Sequence, residues 1–294
     1  MVVLRSWLSF ALGFGCLVLI WYLGYVLVAS LAPSALGYFK WGAILAGAIG
    51  AVMLVFNEPI VARTMGCVRV RERSDNPKLW DAVRRATPSL AFSRARIYVC
   101  PQAGMNAFAF GWGVPLMSAV CATEGIISGL DDDELAAVMA HEMGHVINKD
   151  ILVSMAMTVS VMIIALTGWL LLRLTPYSSG RRSSSDKNGS SAILIALLVG
   201  AVFYVLGRIV GFFLQMFVSR QREYAADATS ARIMGSPEPL IRALEKISGR
   251  ASIGSTEHGA ALGFLCTADP EPDDLISTHP TMENRIASLQ GLGR

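Results

Sequence analysis

The chain is 294 residues long, 53% of them hydrophobic and only 16% charged, with a net charge of +3 and a mean hydropathy of +0.50. Soluble domains carry roughly a quarter charged residues, so this composition excludes an ordinary soluble fold and points to bilayer-spanning segments. The small net charge argues against a nucleic-acid partner, and basic residues beside the apolar stretches read as contacts with a lipid surface.

Four stretches meet the requirement of about 20 apolar residues for a helix crossing a hydrocarbon core. They run from about residue 7 to 30, 38 to 56, 151 to 174 and 192 to 218. The first exceeds the roughly 7–15 apolar residues of a cleaved signal and reads as an uncleaved anchor. Arg63, Arg69, Arg71 and Arg73 follow the second stretch, Lys149 precedes the third, and Arg220 and Arg222 follow the fourth. They outweigh Arg181, Arg182 and Lys187 between the third and fourth, which places both termini and the polar segments on the cytoplasmic side. The resulting organisation is two membrane helices in 1–58, a polar segment in 59–150, a membrane hairpin in 151–218 and a second polar segment in 219–294.

Within the first polar segment, Asn76-Pro77 marks a helix start and Leu79, Trp80 and Val83 give that helix one apolar face. Short extended runs follow at 96–100, 106–111 and 117–122, separated by Pro-Gln-Ala-Gly and Gly-Trp-Gly-Val-Pro turns. They predict a small antiparallel sheet. Asp131 with Glu134 three residues on predicts a capped helix start. No strong breaker separates His145 from Ile151, so this helix is expected to run directly into the third apolar stretch. Residues 177–191 read as a low-complexity loop, and 251–274, rich in glycine and acid, as another loop. Helices are expected from the fourth stretch through Glu223 to Met234, over 239–248 and over 282–289. Five cysteines without a C-x-x-C fit a reducing compartment better than a disulfide framework.

The chemistry centres on His141-Glu142-Met143-Gly144-His145. On a helix the two histidines lie one turn apart on one face and reach one metal ion, while the glutamate between them addresses the water that ion holds. The chain has four histidines, and two fall in this motif. A catalytic zinc needs a third protein ligand, and Glu223 with Asp227 one turn later supplies a carboxylate pair on one helix face. Glu223 is the expected ligand, and Asp227 the acceptor that orients a ligand histidine.

His-Glu-Met-Gly-His-Val-Ile-Asn-Lys-Asp, followed after two apolar stretches by Ser-Arg-Gln-Arg-Glu-Tyr-Ala-Ala-Asp, resembles the HtpX family of membrane zinc endopeptidases, relatives of the CAAX prenyl endopeptidases. Asn106-Ala107-Phe108-Ala109 resembles that family's substrate-pairing edge strand. Thr278-His279-Pro280 with Arg285 resembles its C-terminal His-Pro motif, although Thr281 stands where many relatives carry a second proline.

The resemblance implies a mainly α-helical multi-pass membrane protein, with four transmembrane helices and a zincin-like α+β peptidase domain. It implies one Zn2+ per subunit held by His141, His145 and Glu223, with Glu142 as general base and His279 as oxyanion donor. Asn106, Ala107 and Phe108 would bind substrate backbone by strand addition. The implied activity is cleavage of misfolded or damaged membrane proteins, or other unfolded polypeptides, at a bacterial inner membrane under stress, with self-cleavage expected. Two other readings are an intramembrane-cleaving zinc protease and a non-catalytic membrane scaffold or chaperone.

Overall fold

The computed structural model describes residues 2–87, 94–112, 117–179, 187–248 and 280–292. The chain divides into two compact units. One contains Trp7–Met53 and Ser154–Gln215; the other contains Met1–Ser6, Leu54–Val153 and Met216–Arg294.

The first of these units is built from long helices. They are α1 (Val2–Leu31), α2 (Leu36–Val55), α7 (Asp150–Ser179) and the earlier part of α8 (Lys187–Met234). Its core gathers Leu17, Val28, Phe39, Ile164, Leu171, Val199 and Phe203. The rings of Phe39 and Phe203 meet edge-on at 5.5 Å. Gly168 and Gly200 set the approach of α7 to α8. A Cβ on Gly168 would lie 2.6 Å from the Tyr204 amide nitrogen and 2.7 Å from the Gly200 carbonyl, so no side chain fits there. The outside of the same helices is also apolar, with Trp41, Leu194 and Leu198 each about two-thirds exposed. Among the described residues, no helix is long and apolar enough to cross a membrane. Of the predicted loop at 177–191, α7 takes in the residues up to Ser179 and α8 those from Lys187, and 180–186 lie outside the described residues. The predicted loop at 251–274 lies outside the described residues.

The second unit is a small sheet with helices on both faces. It comprises α3 (Asn57–Thr64), β1 (Val68–Val70), α4 (Pro77–Arg85), β2 (Arg96–Cys100), β3 (Ala107–Gly111), β4 (Ser118–Thr123), α5 (Glu124–Gly129) and α6 (Asp132–Ile147). The end of α8, α9 (Glu238–Ile247) and α10 (Met282–Leu292) complete it. Asn76 caps α4 as expected, its side-chain oxygen accepting from the Leu79 amide.

The strand order is β1-β2-β4-β3. The expectation of a purely antiparallel sheet is corrected: β2 and β4 are parallel, with Tyr98 opposite Cys121, and the sheet is mixed. After β2 the chain crosses to the far edge as β3 and returns antiparallel as β4, which slots between them. The three-residue β1, absent from the sequence reading, pairs with β2.

Side chains alternate between the two faces of a sheet. Tyr98, Cys100, Phe108, Phe110, Ala119 and Cys121 pack with Val61 and Ala62 of α3 and with Met65 just after it. On the other side, α6 packs over β3 and β4. A partly buried ion pair between Glu58 and Arg96, with the Tyr98 hydroxyl donating to Glu58, helps hold α3 in place. That environment pushes the Tyr98 hydroxyl up to about 12, first through burial and then through the neighbouring carboxylate.

Candidate metal centre

Helix α6 carries the histidines, and its start is firmly held. Asp131 accepts from the Glu134 amide at 2.8 Å while Glu134 accepts from the Asp131 amide at 2.9 Å, a reciprocal capping box. Glu134 is itself buried and paired with Lys246 of α9 at 2.6 Å. Leu135, Val138 and Met139 are fully buried, which fixes the rotation of the helix and therefore the direction of the histidines.

His141 and His145 face the same way, their rings edge-on with centroids 4.8 Å apart. The last stretch of α8 brings Glu223 and Asp227 against them, and the Ser230 hydroxyl fastens this stretch by donating to the Ala137 carbonyl at 2.7 Å. Gly144 permits the approach. A Cβ there would come 3.1 Å from the Ala226 Cα, tight enough to push the two helices apart.

Three side chains converge, the histidines through Nε2 and Glu223 through its two oxygens. The two Nε2 atoms are 3.2 Å apart, His141 Nε2 is 3.4 Å from Glu223 Oε2, and His145 Nε2 is 3.5 Å from Glu223 Oε1. Ligands 2.0–2.1 Å from a tetrahedral zinc stand about 3.4 Å apart, so these separations have the size such an ion requires. All three side chains are largely or fully withdrawn from solvent. Glu142, between the histidines, is buried as well.

The outward ring nitrogens meet carboxylates. His141 Nδ1 lies 2.8 Å from Asp227 Oδ1 and His145 Nδ1 lies 2.9 Å from Asp150 Oδ2. In the neutral rings this network places the proton on Nδ1 and directs both Nε2 lone pairs to the shared point. Arg285 from α10 is fully buried and grips Asp227 with two bonds, Nη2 to Oδ1 at 2.6 Å and Nε to Oδ2 at 3.0 Å. Its Nη1 also lies 3.5 Å from Glu223.

The electrostatics follow from that arrangement. Burial pushes the Asp227 carboxyl up, but Arg285 and His141 outweigh it and hold the group below the usual carboxylate range. Burial and then Arg285 push His141 down, yet Asp227 and Glu223 prevail and raise it to about 9. In the metal-free protein the carboxylates therefore favour a positive charge at the place a cation would take.

Sequence reasoning missed Asp150. In a continuous α-helix a residue five positions after His145 sits about 140° around the axis and points away from it. The expected uninterrupted helix is corrected here: α6 stops at Ile147, Lys149 adopts a φ of +61°, and α7 starts afresh at Asp150. The break brings the Asp150 carboxylate to His145, and Arg222 locks it by donating to the Asp150 carbonyl at 2.7 Å. The polar run Asn148-Lys149-Asp150 between two apolar segments was the available signal for a break.

Asn106, Ala107 and Phe108 are buried at the start of β3, the terminal strand of the sheet, against which α6 packs. Asn106 Oδ1 accepts from the Ala107 amide at 2.9 Å. His279 lies outside the described residues, whereas its neighbour Pro280 is buried.

Comparison with known proteins places this geometry. Residues 73–292 match the model of peptidase family M48. A protease HtpX homolog from Tropheryma whipplei strain TW08/27 is 34% identical over 262 residues, covering 88% of this chain and 87% of that one. One from Lactobacillus helveticus is 32% identical and covers 90% and 93%. Among solved structures, the crystal structure of S. mikatae Ste24p superposes with a TM-score of 0.53 at 18% identity. That match covers 97% of this chain and 66% of that one, and it is a likeness of fold.

Proposed function

We propose, from the premise that this chain belongs to peptidase family M48 and is a metalloprotease, that it is a zinc-dependent endopeptidase held in a bilayer by four helices, cutting membrane or unfolded polypeptides on the cytoplasmic side. The observation carrying this reading is the triangle of His141, His145 and Glu223, with both outward imidazole nitrogens fixed by Asp227 and Asp150.

In this mechanism His141, His145 and Glu223 are the ligands. A bound zinc ion supplies Lewis acidity, lowering the pKa of water and polarising a peptide carbonyl. Glu142 accepts the proton of the attacking water and delivers it to the departing amine. Asp227 and Asp150 keep the two imidazoles in the tautomer that presents Nε2, and Arg285 offsets the charge that Asp227 brings into the interior. Strand β3, from Ala107 onward, aligns an extended substrate by main-chain bonds, with Asn106 at its entrance. His279 donates to the oxyanion that develops on the scissile carbonyl.

The test is proteolysis. Wild type supplied with zinc is expected to cleave a misfolded membrane protein and a denatured soluble protein, and Glu142→Gln to lose about 10²–10⁴-fold in rate, the usual worth of a general base. Equal rates for the two proteins would end the reading. Cleavage sites mapped outside the substrate's own spans separate it from intramembrane proteolysis.

The membrane part rests on the four apolar stretches of sequence and on the outer surface of the helices that carry them. In water an apolar exterior is costly; in lipid it is the required surface. Close helix contact through Gly168 and Gly200 is the packing mode lipid favours, because small residues let backbones meet where no hydrophobic effect drives association. The protein is expected to stay in the pellet when membranes are washed with alkaline carbonate and to leave it only with detergent. Release by carbonate alone would refute the four spans. The same reading gives a quality-control role under stress and self-cleavage within 177–191 or 251–274.

A further inference from the structure

Arg222 stands directly before Glu223 on α8 and is buried. Its Nη1 donates to the main-chain carbonyl of Asp150, 72 positions earlier in the chain. The carboxylate of that same Asp150 lies 2.9 Å from His145 Nδ1. Arg222 therefore joins two elements that each build one side of the metal centre. One is the first residue of α7, whose side chain orients His145; the other is the turn of α8 that presents Glu223.

Two further observations bear on this link. Asp150 follows Lys149, whose φ of +61° is in the left-handed region. That conformation is unfavourable for a residue with a Cβ and persists where the surroundings hold it. The Arg222 bond supplies such a hold, and because it goes to main chain it fixes where Asp150 stands as well as the charge near it. Second, burial holds the Arg222 guanidinium below its ordinary range, and the groups that counter this are Asp150 and Glu223. Its charge thus faces both carboxylates that approach His145.

We propose that Arg222 is a positioning residue of the metal centre, one that clasps the Asp150 backbone to the ligand-bearing turn of α8 and so sets the Asp150 carboxylate against His145; this rests on the reading of His141, His145 and Glu223 as metal ligands. The role passes through Asp150 and requires no contact with the ion. A side chain that only held helices together would, when lost, weaken the fold whether or not Asp150 kept its carboxylate. A clasp acting through Asp150 has nothing left to position once that carboxylate is gone.

The experiment uses the full chain in detergent, stripped with chelator and titrated with cobalt(II), whose visible absorption reports the bound ion and its coordination; zinc affinity follows by competition. Wild type, Arg222→Met, Arg222→Lys, Asp150→Ala and the double variant Arg222→Met, Asp150→Ala are compared. The thermal midpoint of each metal-free protein confirms that folded molecules are being titrated. Arg222→Met is expected to lower affinity about tenfold, the lower end of the effect of partners that orient a ligand histidine. Arg222→Lys, which keeps a charge and a donor, is expected to lose less. In the Asp150→Ala background Arg222→Met is expected to cost nothing further, the non-additivity of two residues acting in series. Equal affinity in wild type and Arg222→Met overturns the proposal, and so does a tenfold loss that persists in full without the Asp150 carboxylate. Should Arg222→Met fail to fold, Arg222→Lys carries the same comparison: its loss must likewise vanish with Asp150→Ala. Wild type that takes up neither cobalt nor zinc is a separate result, which ends the ligand reading itself and this role with it.

Discussion

Glu223→Ala is expected to leave the purified protein without bound metal while its fold persists. The two histidines alone offer a divalent ion only two protein ligands, and catalytic zinc sites use three. Glu223 is the proposed ligand contributed by a separate helix, 78 positions after His145, and its oxygens are 3.4 and 3.5 Å from the two Nε2 atoms. Asp150→Asn is the informative comparator. It keeps all three ligands and an oxygen facing His145 Nδ1, but removes the charge that orders the imidazole, so metal affinity is expected to fall about 10–100-fold. Zinc per chain, measured by mass spectrometry after dialysis against graded chelator, should therefore rank wild type above Asp150→Asn and Asp150→Asn above Glu223→Ala. Full zinc in Glu223→Ala would remove that residue from the ligand set.

The second large effect is on stability. Arg285 and Asp227 are both essentially inaccessible to solvent, and the guanidinium meets the carboxylate with two bonds. Breaking a buried pair from one side strands a charge in the interior and costs about 3–5 kcal/mol. Arg285→Met should lower the thermal midpoint of the metal-free protein accordingly, with chelator present so that metal loss is not what is measured. Asp227→Asn in the same background should recover part of the loss, because Arg285→Met then leaves a neutral amide behind rather than a carboxylate. Coupling of about 0.5–3 kcal/mol in the double-mutant cycle is expected. Strict additivity would show that the pair does not act as a unit.

Much of the centre could be read from local sequence. His141 and His145 are one helical turn apart, as are Glu223 and Asp227, and spacing alone set each pair on one face. The capped start at Asp131 likewise depends on contacts three residues long, and it formed with both bonds in place. Arg285 was noticed within a motif resemblance, but nothing local indicated that it would clasp Asp227, 58 positions earlier in the chain. Asp150 escaped because helical periodicity, correctly applied, points it the wrong way; one residue with a positive φ overrules the period.

The sheet shows the same division. Strands β2, β3 and β4 were legible as short extended runs between turns, whereas their order and the parallel pairing of β2 with β4 were not. That pairing also makes neighbours of Cys100 and Cys121, and so turns apparently scattered thiols into a cluster with one disulfide. The expectation of reduced cysteines without cross-links is corrected at Cys67 and Cys100, which the antiparallel pairing of β1 with β2 brings opposite each other. By itself, then, the sequence determined the metal-binding motif, the helix that presents it and the apolar character of four long segments, because each is written within one or two helical turns or one continuous run. Only the tertiary structure decided that Asp150 holds His145, that Arg285 clasps Asp227 and which sulfurs touch, because those partners are joined by a break between two helices, a strand register and helix contacts between residues far apart in the chain.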